Sequence, residues 1–389
     1  MCITTPFFCY TIISGVIMKY DIIIIGAGIN GCAIAREASK LGKRVAVIDK
    51  QTIGSGASSR SSRLIHGGLR YLEHGDFALV KEALYDRSRL IAAYPDLVVL
   101  RPFTLPVYAG VGRPWWIIKA GLYLYDLFSR FIAPHHVMSM EIFTSSFPAL
   151  KTKGLRKIFT YYDAKTNDLL LTQTVAQEAQ ELGTVFFENT TLHEIKHHEN
   201  TFELLCGDRH LETPILINAT GPWIDEINHR FNLPSRYKIS KISGIHIVID
   251  GLLTPEPVFL QTDHHRIFFI IPENKANQTV IGTTERRETS ETDEVHINEE
   301  DINYLLTHTN HFLTTPLKRE DVIDSYIGVR PLIESKKSMV KTSREYQLDL
   351  HDFGQTQLLH VFGGKLTTHS SLAQKAINLL PLYKNKVNI

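Results

Sequence analysis

The chain has 389 residues, 43% of them apolar and 21% charged, with 24 Gly and 16 Pro. That balance excludes a disordered or collagen-like chain and leaves room for two domains at roughly 100–200 residues each. Lys+Arg 42 against Asp+Glu 41 gives a net charge of +1, so no whole-chain field draws nucleic acid, and any anion site is built locally from a few Arg and Lys.

Residues 1–17 are largely apolar, but no Lys or Arg precedes Lys19 and no small-residue cleavage site is clear. They read as a poorly ordered extension before a second methionine, Met18, and not as a secretory signal. The run is also shorter than the roughly 20 apolar residues that span a bilayer. Residues 22–25, four isoleucines ending at Gly26, predict a strand buried on both faces. Ile34, Ala35, Ala38 and Leu41 recur at helical spacing over residues 29–41, with Gly42 as the stop. Residues 44–48 (RVAVI) predict a second buried strand ending at Asp49. Strand, glycine turn, helix and strand within about 30 residues make a βαβ unit and imply a parallel sheet. Residues 115–125, WWIIKAGLYLY, are interrupted by Lys119 and closed by Asp126; such a segment suits a core helix or a helix lying in a bilayer interface. Apolar runs at 214–218 and 358–362, each leading into a glycine turn, extend the parallel sheet, while 244–250, 266–271 and 278–283 predict antiparallel strands. The expected fold is therefore α/β. A discontinuous Rossmann-like domain takes residues 18–90, 156–233 and 327–389, and an inserted α+β antiparallel-sheet substrate domain takes 91–155 and 234–326. Cys2, Cys9, Cys32 and Cys206 form no C-x-x-C pair, which argues against a disulfide scaffold, a redox dithiol or a zinc knuckle and points to a reducing, cytoplasmic-side setting.

Gly26-Ala27-Gly28-Ile29-Asn30-Gly31 is G-x-G-x-x-G directly after a strand and at the start of a helix. In that place Gly26 permits the tight turn, Gly28 lets the backbone approach a pyrophosphate, and Gly31 allows close helix–strand packing. The helix N-terminus adds free N–H groups and a positive dipole end. Asp49 suits a ribose hydroxyl pair. The pattern predicts a dinucleotide without separating NAD from FAD. Residues 54–63, GSGASSRSSR, running into LIHGGLRY at 64–71, favour FAD: their hydroxyls and bare backbone can wrap the pyrophosphate and ribityl chain of an extended flavin. FGGKLTT at 362–368 is a second strand–glycine–helix junction, and a helix N-terminus at the pyrimidine end of a flavin would stabilise the negative charge of the reduced ring.

Taken in order, the strings IIIIGAGINGCAIAREA, SSRSSRLIHGGLRYLEHGDFALVKEAL, NATGPW, IGTTE, YIGVRPL, TSREYQLDL and VFGGKLTT resemble the FAD-dependent, quinone-linked glycerol-3-phosphate dehydrogenases, from about residue 18 to about residue 380. The resemblance implies oxidation of the C2 hydroxyl of sn-glycerol 3-phosphate to dihydroxyacetone phosphate. Hydride goes to FAD and electrons go on to a membrane quinone, from a peripheral position on the cytoplasmic face of the inner membrane; a homodimer is compatible with it. An oxidase using oxygen and a non-catalytic FAD-binding remnant are the alternatives.

On the matched motifs the resemblance gives FAD contacts to Gly26, Gly28, Asn30, Gly31 and Asp49 in the first βαβ unit. In the loop after that unit it gives them to Ser58, Ser59, Ser61, Ser62, Leu64, His66, Gly67 and Gly68. Further along the chain, Ala219, Gly221, Gly363, Gly364, Lys365 and Leu366 complete the set. Arg330, Arg344 and Lys365 are its candidates for the phosphate, since Arg forks and a Lys point charge suit a near-dianion. Arg70 and Tyr71 line the same pocket, and Thr367 donates to substrate or flavin. His246 is the candidate general base, its unperturbed pKa of about 6.5 suiting proton removal near neutrality. Two departures stand out: Asp49 is where the family often has Glu, and the chain ends about twenty residues after GGKLTT, where family members usually continue into a helical domain.

Overall fold

The computed structural model describes residues 17–262, 266–334 and 346–381. Residues 1–16 of the expected extension, and Arg344, lie outside the described residues. The helices in chain order are α1 (Ile29–Lys40), α2 (Phe77–Ala93), α3 (Trp115–Phe128), α4 (Met140–Ser146), α5 (Asp168–Glu181), α6 (Ile224–Arg230), α7 (Glu299–Asn310) and α8 (His369–Leu379).

The β-branched run Ile22–Ile25 is buried on both faces. It sits inside a six-stranded sheet ordered Gln347–Asp352, Gln357–Phe362, Ile215–Asn218, Ile22–Ile25, Val45–Ile48, Val185–Phe187. All neighbours run parallel except the edge pair Gln347–Asp352 and Gln357–Phe362, which is antiparallel. On one face α1 packs between α5 and α8 through small side chains, among them Ala33, Ala38, Ala176, Ala179, Ala373 and Ala376. Short side chains bring the helices close to one another and to the sheet. On the other face Ile23, Ala46 and Leu216 meet Phe202, Leu204 and Leu211 of a four-stranded sheet. The expected strands and helix are present, with ends differing by a few residues.

The second core is a ten-stranded, largely antiparallel sheet. Its long members pair Val99–Tyr108 with Leu155–Lys165, and Ile239–Asp250 with both Val322–Ile333 and Gln278–Gly282. Alternation along Ile239–Asp250 decides what faces where. Ile245, Ile247 and Ile249 pack with Phe143 of α4 and Ile302 and Leu305 of α7. Val248 packs on the other side with Leu84 of α2 and Leu122 and Tyr125 of α3, and His246 shares that side by parity.

The division at 156 and 327 is corrected by this pairing. Leu155–Lys165 and Val322–Ile333 belong to the ten-stranded sheet, as does the short strand Leu64–Ile65. Leu155–Lys165 matches Val99–Tyr108 along its whole length, so its pairing is satisfied away from the parallel sheet. The segment at 115–125 is a core helix with an apolar outside: Ile118, Leu122 and Tyr125 are buried, whereas Trp116, Tyr123 and Leu127 are exposed. Among the described residues no helix is long and apolar enough to cross a membrane.

A Cβ at position 31 would lie 1.9 Å from the Gly26 carbonyl oxygen, so Gly31→Ala should lower unfolding stability by about 1–3 kcal/mol or more; an unchanged denaturation midpoint would contradict the close approach. Three buried imidazoles set the acid limb of stability. Burial pushes His246 down to about 3 and His360 and His369 down to about 4, against about 6.5 in the unfolded chain. Below pH 6.5 the unfolded state therefore binds protons that the fold refuses, and stability falls as pH drops toward 5, by at most about 1.4 kcal/mol per pH unit for each group. Denaturation midpoints at pH 7.5, 6.0 and 5.0 should decline in that order, and a flat series would refute it.

Candidate functional site

A cavity of about 1050 Å³ runs from the C-terminal ends of Ile22–Ile25 and Val45–Ile48 to the side of the ten-stranded sheet that carries His246. The C-terminal edge of a parallel sheet is where ligands of such folds bind, and the volume is that of a large ligand site. Of the described residues singled out from the sequence, all but Gly31, Ser59 and Gly67 line it.

One end is built by the glycine turn. Gly26 is left-handed, and a Cβ there would lie 2.7 Å from the Ala219 carbonyl oxygen. The Ala27 N–H donates to Asp49 Oδ2 (2.7 Å) and the Gln51 N–H to Asp49 Oδ1 (2.8 Å), so the carboxylate is tied to the turn it serves. Burial raises its pKa, with these hydrogen bonds acting the other way. The Ile29 N–H, at the start of α1, donates to Ser58 Oγ (3.0 Å). Gly31 stands behind this surface, against the Gly26 carbonyl. The Ser59 hydroxyl turns back to the carbonyls of Ser55 and Gly56, and Ser61 uses its N–H and hydroxyl on Asp168 Oδ2 at 3.0 and 2.7 Å. The last two tie down the loop instead of presenting free hydroxyls.

Across the cavity, Gly363 and Gly364 are both left-handed, which bends the chain from Gln357–Phe362 into α8. Asn30 Nδ2 of α1 donates to the Gly363 carbonyl (3.2 Å), and Asn30 Oδ1 is buried without a hydrogen-bond partner among the described residues. The N-terminus of α1 and residues 363–367, which lead toward α8, share one lining. The Lys365 ammonium lies 4.1 Å from the centre of the Tyr71 ring, a cation–π contact that holds it in place. Thr367 is buried beside it.

The far end is positively charged. Arg70 Nη1, Arg330 Nη1 and Arg266 Nη2 lie 3.9, 3.7 and 3.8 Å from the Glu285 carboxylate, and Arg330 Nη2 donates to Thr283 Oγ1 (3.1 Å). Among the described residues these three guanidiniums gather around one carboxylate, a local concentration of positive charge that suits an anion. Gly244 makes room for them, since a Cβ there would lie 2.7 Å from Arg330 Nη2. His246 is stacked on Tyr326 with ring centres 4.7 Å apart, and its Nε2 shares a hydrogen bond with Ser62 Oγ (2.8 Å). Burial first, then the charges of Arg330 and Arg63, pushes its pKa down to about 3. This corrects the near-neutral value expected from sequence: the resting ring is neutral throughout the physiological range.

Sequence reasoning missed Arg266, Thr283 and Glu285, although IGTTE contains the last two, because nothing in the string says that it faces Arg330. It also missed the group beneath Gly67. The Gly67 N–H donates to Tyr125 Oη (2.8 Å) and Asp163 Oδ1 (3.1 Å), and Arg87 Nη1 donates to the same Asp163 oxygen (2.6 Å).

Residues 21–370 match the family described as DAO, FAD dependent oxidoreductase. The chain is 35% identical over 373 residues to the aerobic glycerol-3-phosphate dehydrogenase of Escherichia coli (strain K12), covering 93% of this chain and 74% of that protein. It is 32% identical over 372 residues to the D-erythritol 1-phosphate dehydrogenase of Brucella abortus (strain 2308), covering 92% and 73%. The glycerol-3-phosphate dehydrogenase of Bacillus halodurans, solved in complex with FAD, has a TM-score of 0.73 at 21% identity, and this chain spans 64% of its length while 93% of this chain is covered. The L-alpha-glycerophosphate oxidase of Mycoplasma pneumoniae with FAD bound has a TM-score of 0.75 at 16% identity, over 94% of this chain and 95% of that one. The glycine turn, the α1 N-terminus and Asn30 Oδ1, which has no hydrogen-bond partner among the described residues, suit FAD, which supplies a two-electron acceptor when bound. Chain-long similarity and a cavity shaped for this cofactor agree: the protein is a flavoprotein of the DAO family of FAD-dependent oxidoreductases and belongs, within it, to the glycerol-3-phosphate dehydrogenase family.

Proposed function

We propose that this chain oxidises sn-glycerol 3-phosphate at its C2 hydroxyl to dihydroxyacetone phosphate, with hydride passing to FAD and the electrons then to a membrane quinone. The observation that carries this reading is the convergence of Arg70, Arg266 and Arg330 on Glu285, in the same cavity as Lys365 and a neutral His246. Arg70 and Arg330 offer forked donors to the phosphate oxygens, and Lys365, braced on Tyr71, offers a point charge. His246 takes the C2 hydroxyl proton. Its ring is unprotonated above about pH 3, and the negative charge of a bound phosphomonoester beside it raises its basicity above the resting value. Thr367 donates to the substrate or to the flavin, and Arg344 is proposed from its motif alone.

The outer face of α3 supports peripheral docking on the cytoplasmic membrane surface. Trp115, Trp116, Tyr123 and Leu127 are exposed there, with Lys157 5.7 Å from the Trp115 ring centre and Lys81 4.8 Å from that of Phe128. Aromatic residues flanked by cations suit a headgroup interface. The cluster of cations around the cavity speaks against a non-catalytic remnant.

Glycerol 3-phosphate added anaerobically to the yellow protein should bleach the flavin, whereas sarcosine and 2-hydroxyglutarate should not. Absence of bleaching would sink the reading, and faster bleaching by D-erythritol 1-phosphate would reassign the substrate. Peroxide formed in air without added quinone would make oxygen the acceptor. Arg330→Ala should leave FAD bound and raise the half-saturating substrate concentration by roughly 10- to 100-fold, the loss of one charged hydrogen-bonding partner. Unchanged reduction kinetics would place the anion site elsewhere.

A further inference from the structure

We propose that Asp163, with Tyr125 and Arg87, is a positioning residue for the His66–Tyr71 turn, and so sets where Arg70 and Tyr71 stand in the cavity. The kinetic part of this proposal rests on the function proposed above; the structural part does not. Asp163 belongs to the Leu155–Lys165 strand and is 2% exposed. One of its oxygens, Oδ1, accepts three hydrogen bonds: from Arg87 Nη1 of α2 at 2.6 Å, from the Tyr125 hydroxyl of α3 at 2.6 Å, and from the Gly67 N–H at 3.1 Å. The Tyr125 oxygen also accepts from the Gly67 N–H at 2.8 Å. Burial, and after it the Asp163 charge, hold the Tyr125 phenol far above its ordinary pKa, so it remains the donor to Asp163. A single backbone N–H is thus clamped by groups from a sheet and one helix, with Arg87 of a second helix bonded to the Asp163 oxygen behind it.

The turn from Gly68 to Tyr71 depends on that clamp. Gly68 is left-handed, and a Cβ there would lie 2.2 Å from the Tyr71 ring. The Tyr71 N–H donates to the Gly68 carbonyl (2.8 Å), closing the turn. Tyr71 then carries the Lys365 ammonium on its ring, and Arg70 faces Glu285. Gly67 itself has no space for a side chain, since a Cβ would lie 2.4 Å from Leu84 Cδ2 and 2.5 Å from Tyr125 Oη. A buried ion pair is weak evidence for stability, because packed apolar groups of equal volume do as well. Leucine-like residues could fill this volume. They could not accept the Gly67 N–H, so the polar group serves geometry at the site.

The test uses the FAD-loaded protein and Tyr125→Phe, which removes one hydroxyl and leaves the Arg87–Asp163 pair in place. Hydrogen exchange of the peptide covering 66–71 should accelerate at least about fivefold, while α2 and the Leu155–Lys165 strand keep their protection. FAD content should be unchanged and the visible flavin band shifted. The half-saturating glycerol 3-phosphate for flavin reduction should rise about tenfold. Asp163→Asn should produce the same pattern and replaces Tyr125→Phe if that variant does not fold. Unchanged exchange at 66–71 with an unchanged flavin band overturns the proposal. A general loss of protection, or failure of both variants to retain flavin, also overturns it by assigning the cluster to folding. If glycerol 3-phosphate fails to bleach the unaltered protein, the proposed function falls while the local exchange contrast still decides the positioning role.

Discussion

The rest of the site depends on one backbone approach, at Gly26. Its carbonyl oxygen lies where a side chain on Gly31 would begin, and its Cα faces the Ala219 carbonyl of the neighbouring strand's end. Only hydrogen fits on either side, so α1 can start directly above the parallel sheet. The other contacts build on that seat. Asp49 holds Ala27, Ser58 meets the Ile29 N–H, and Asn30 reaches Gly363. The first turn of α1 is thereby joined to the second strand, to the serine loop and to the entry of α8.

Charge is handled by placement in the same way. The chain as a whole is nearly neutral at +1, yet Arg70, Arg266 and Arg330 come from segments far apart in sequence to share one carboxylate. Glu285 lowers the repulsion among them. Burial works in the opposite direction on His246, whose protonated form is disfavoured first by desolvation and then by the charges of Arg330 and Arg63. Cations at the rim and a neutral base on the wall are two outcomes of one gradient in exposure.

The two sheets divide the work by their geometry. The parallel sheet, whose strand Ile22–Ile25 is buried on both faces, ends in turns that line the cavity. The antiparallel sheet alternates, so one side of Ile239–Asp250 builds an apolar core with α4 and α7 while the other presents His246 to the cavity. Leu155–Lys165 does the same, presenting Tyr161 and Asp163 toward that cavity. Its assignment to the antiparallel sheet, against the division read from sequence, is what brings Asp163 beneath Gly67.

Local patterns were legible in the sequence because their causes are local. Four consecutive isoleucines, the glycines at 26, 28 and 31, the Asp49 carboxylate and the paired Gly363 and Gly364 each report a nearby backbone requirement, and the structure uses each of them there. The matched motifs likewise carried Arg70, Arg330, Lys365 and His246 into the cavity lining. What the tertiary structure alone decided concerns partners distant in the chain. It tied the Ser59 and Ser61 hydroxyls into loop contacts, surrounded Glu285 with arginines, moved the His246 pKa from near neutrality to about 3, and placed Tyr125 and the Arg87–Asp163 pair under one N–H. A residue type states what a side chain can donate, accept or ionise. Burial and neighbours, which only the folded chain supplies, decide which of those it does.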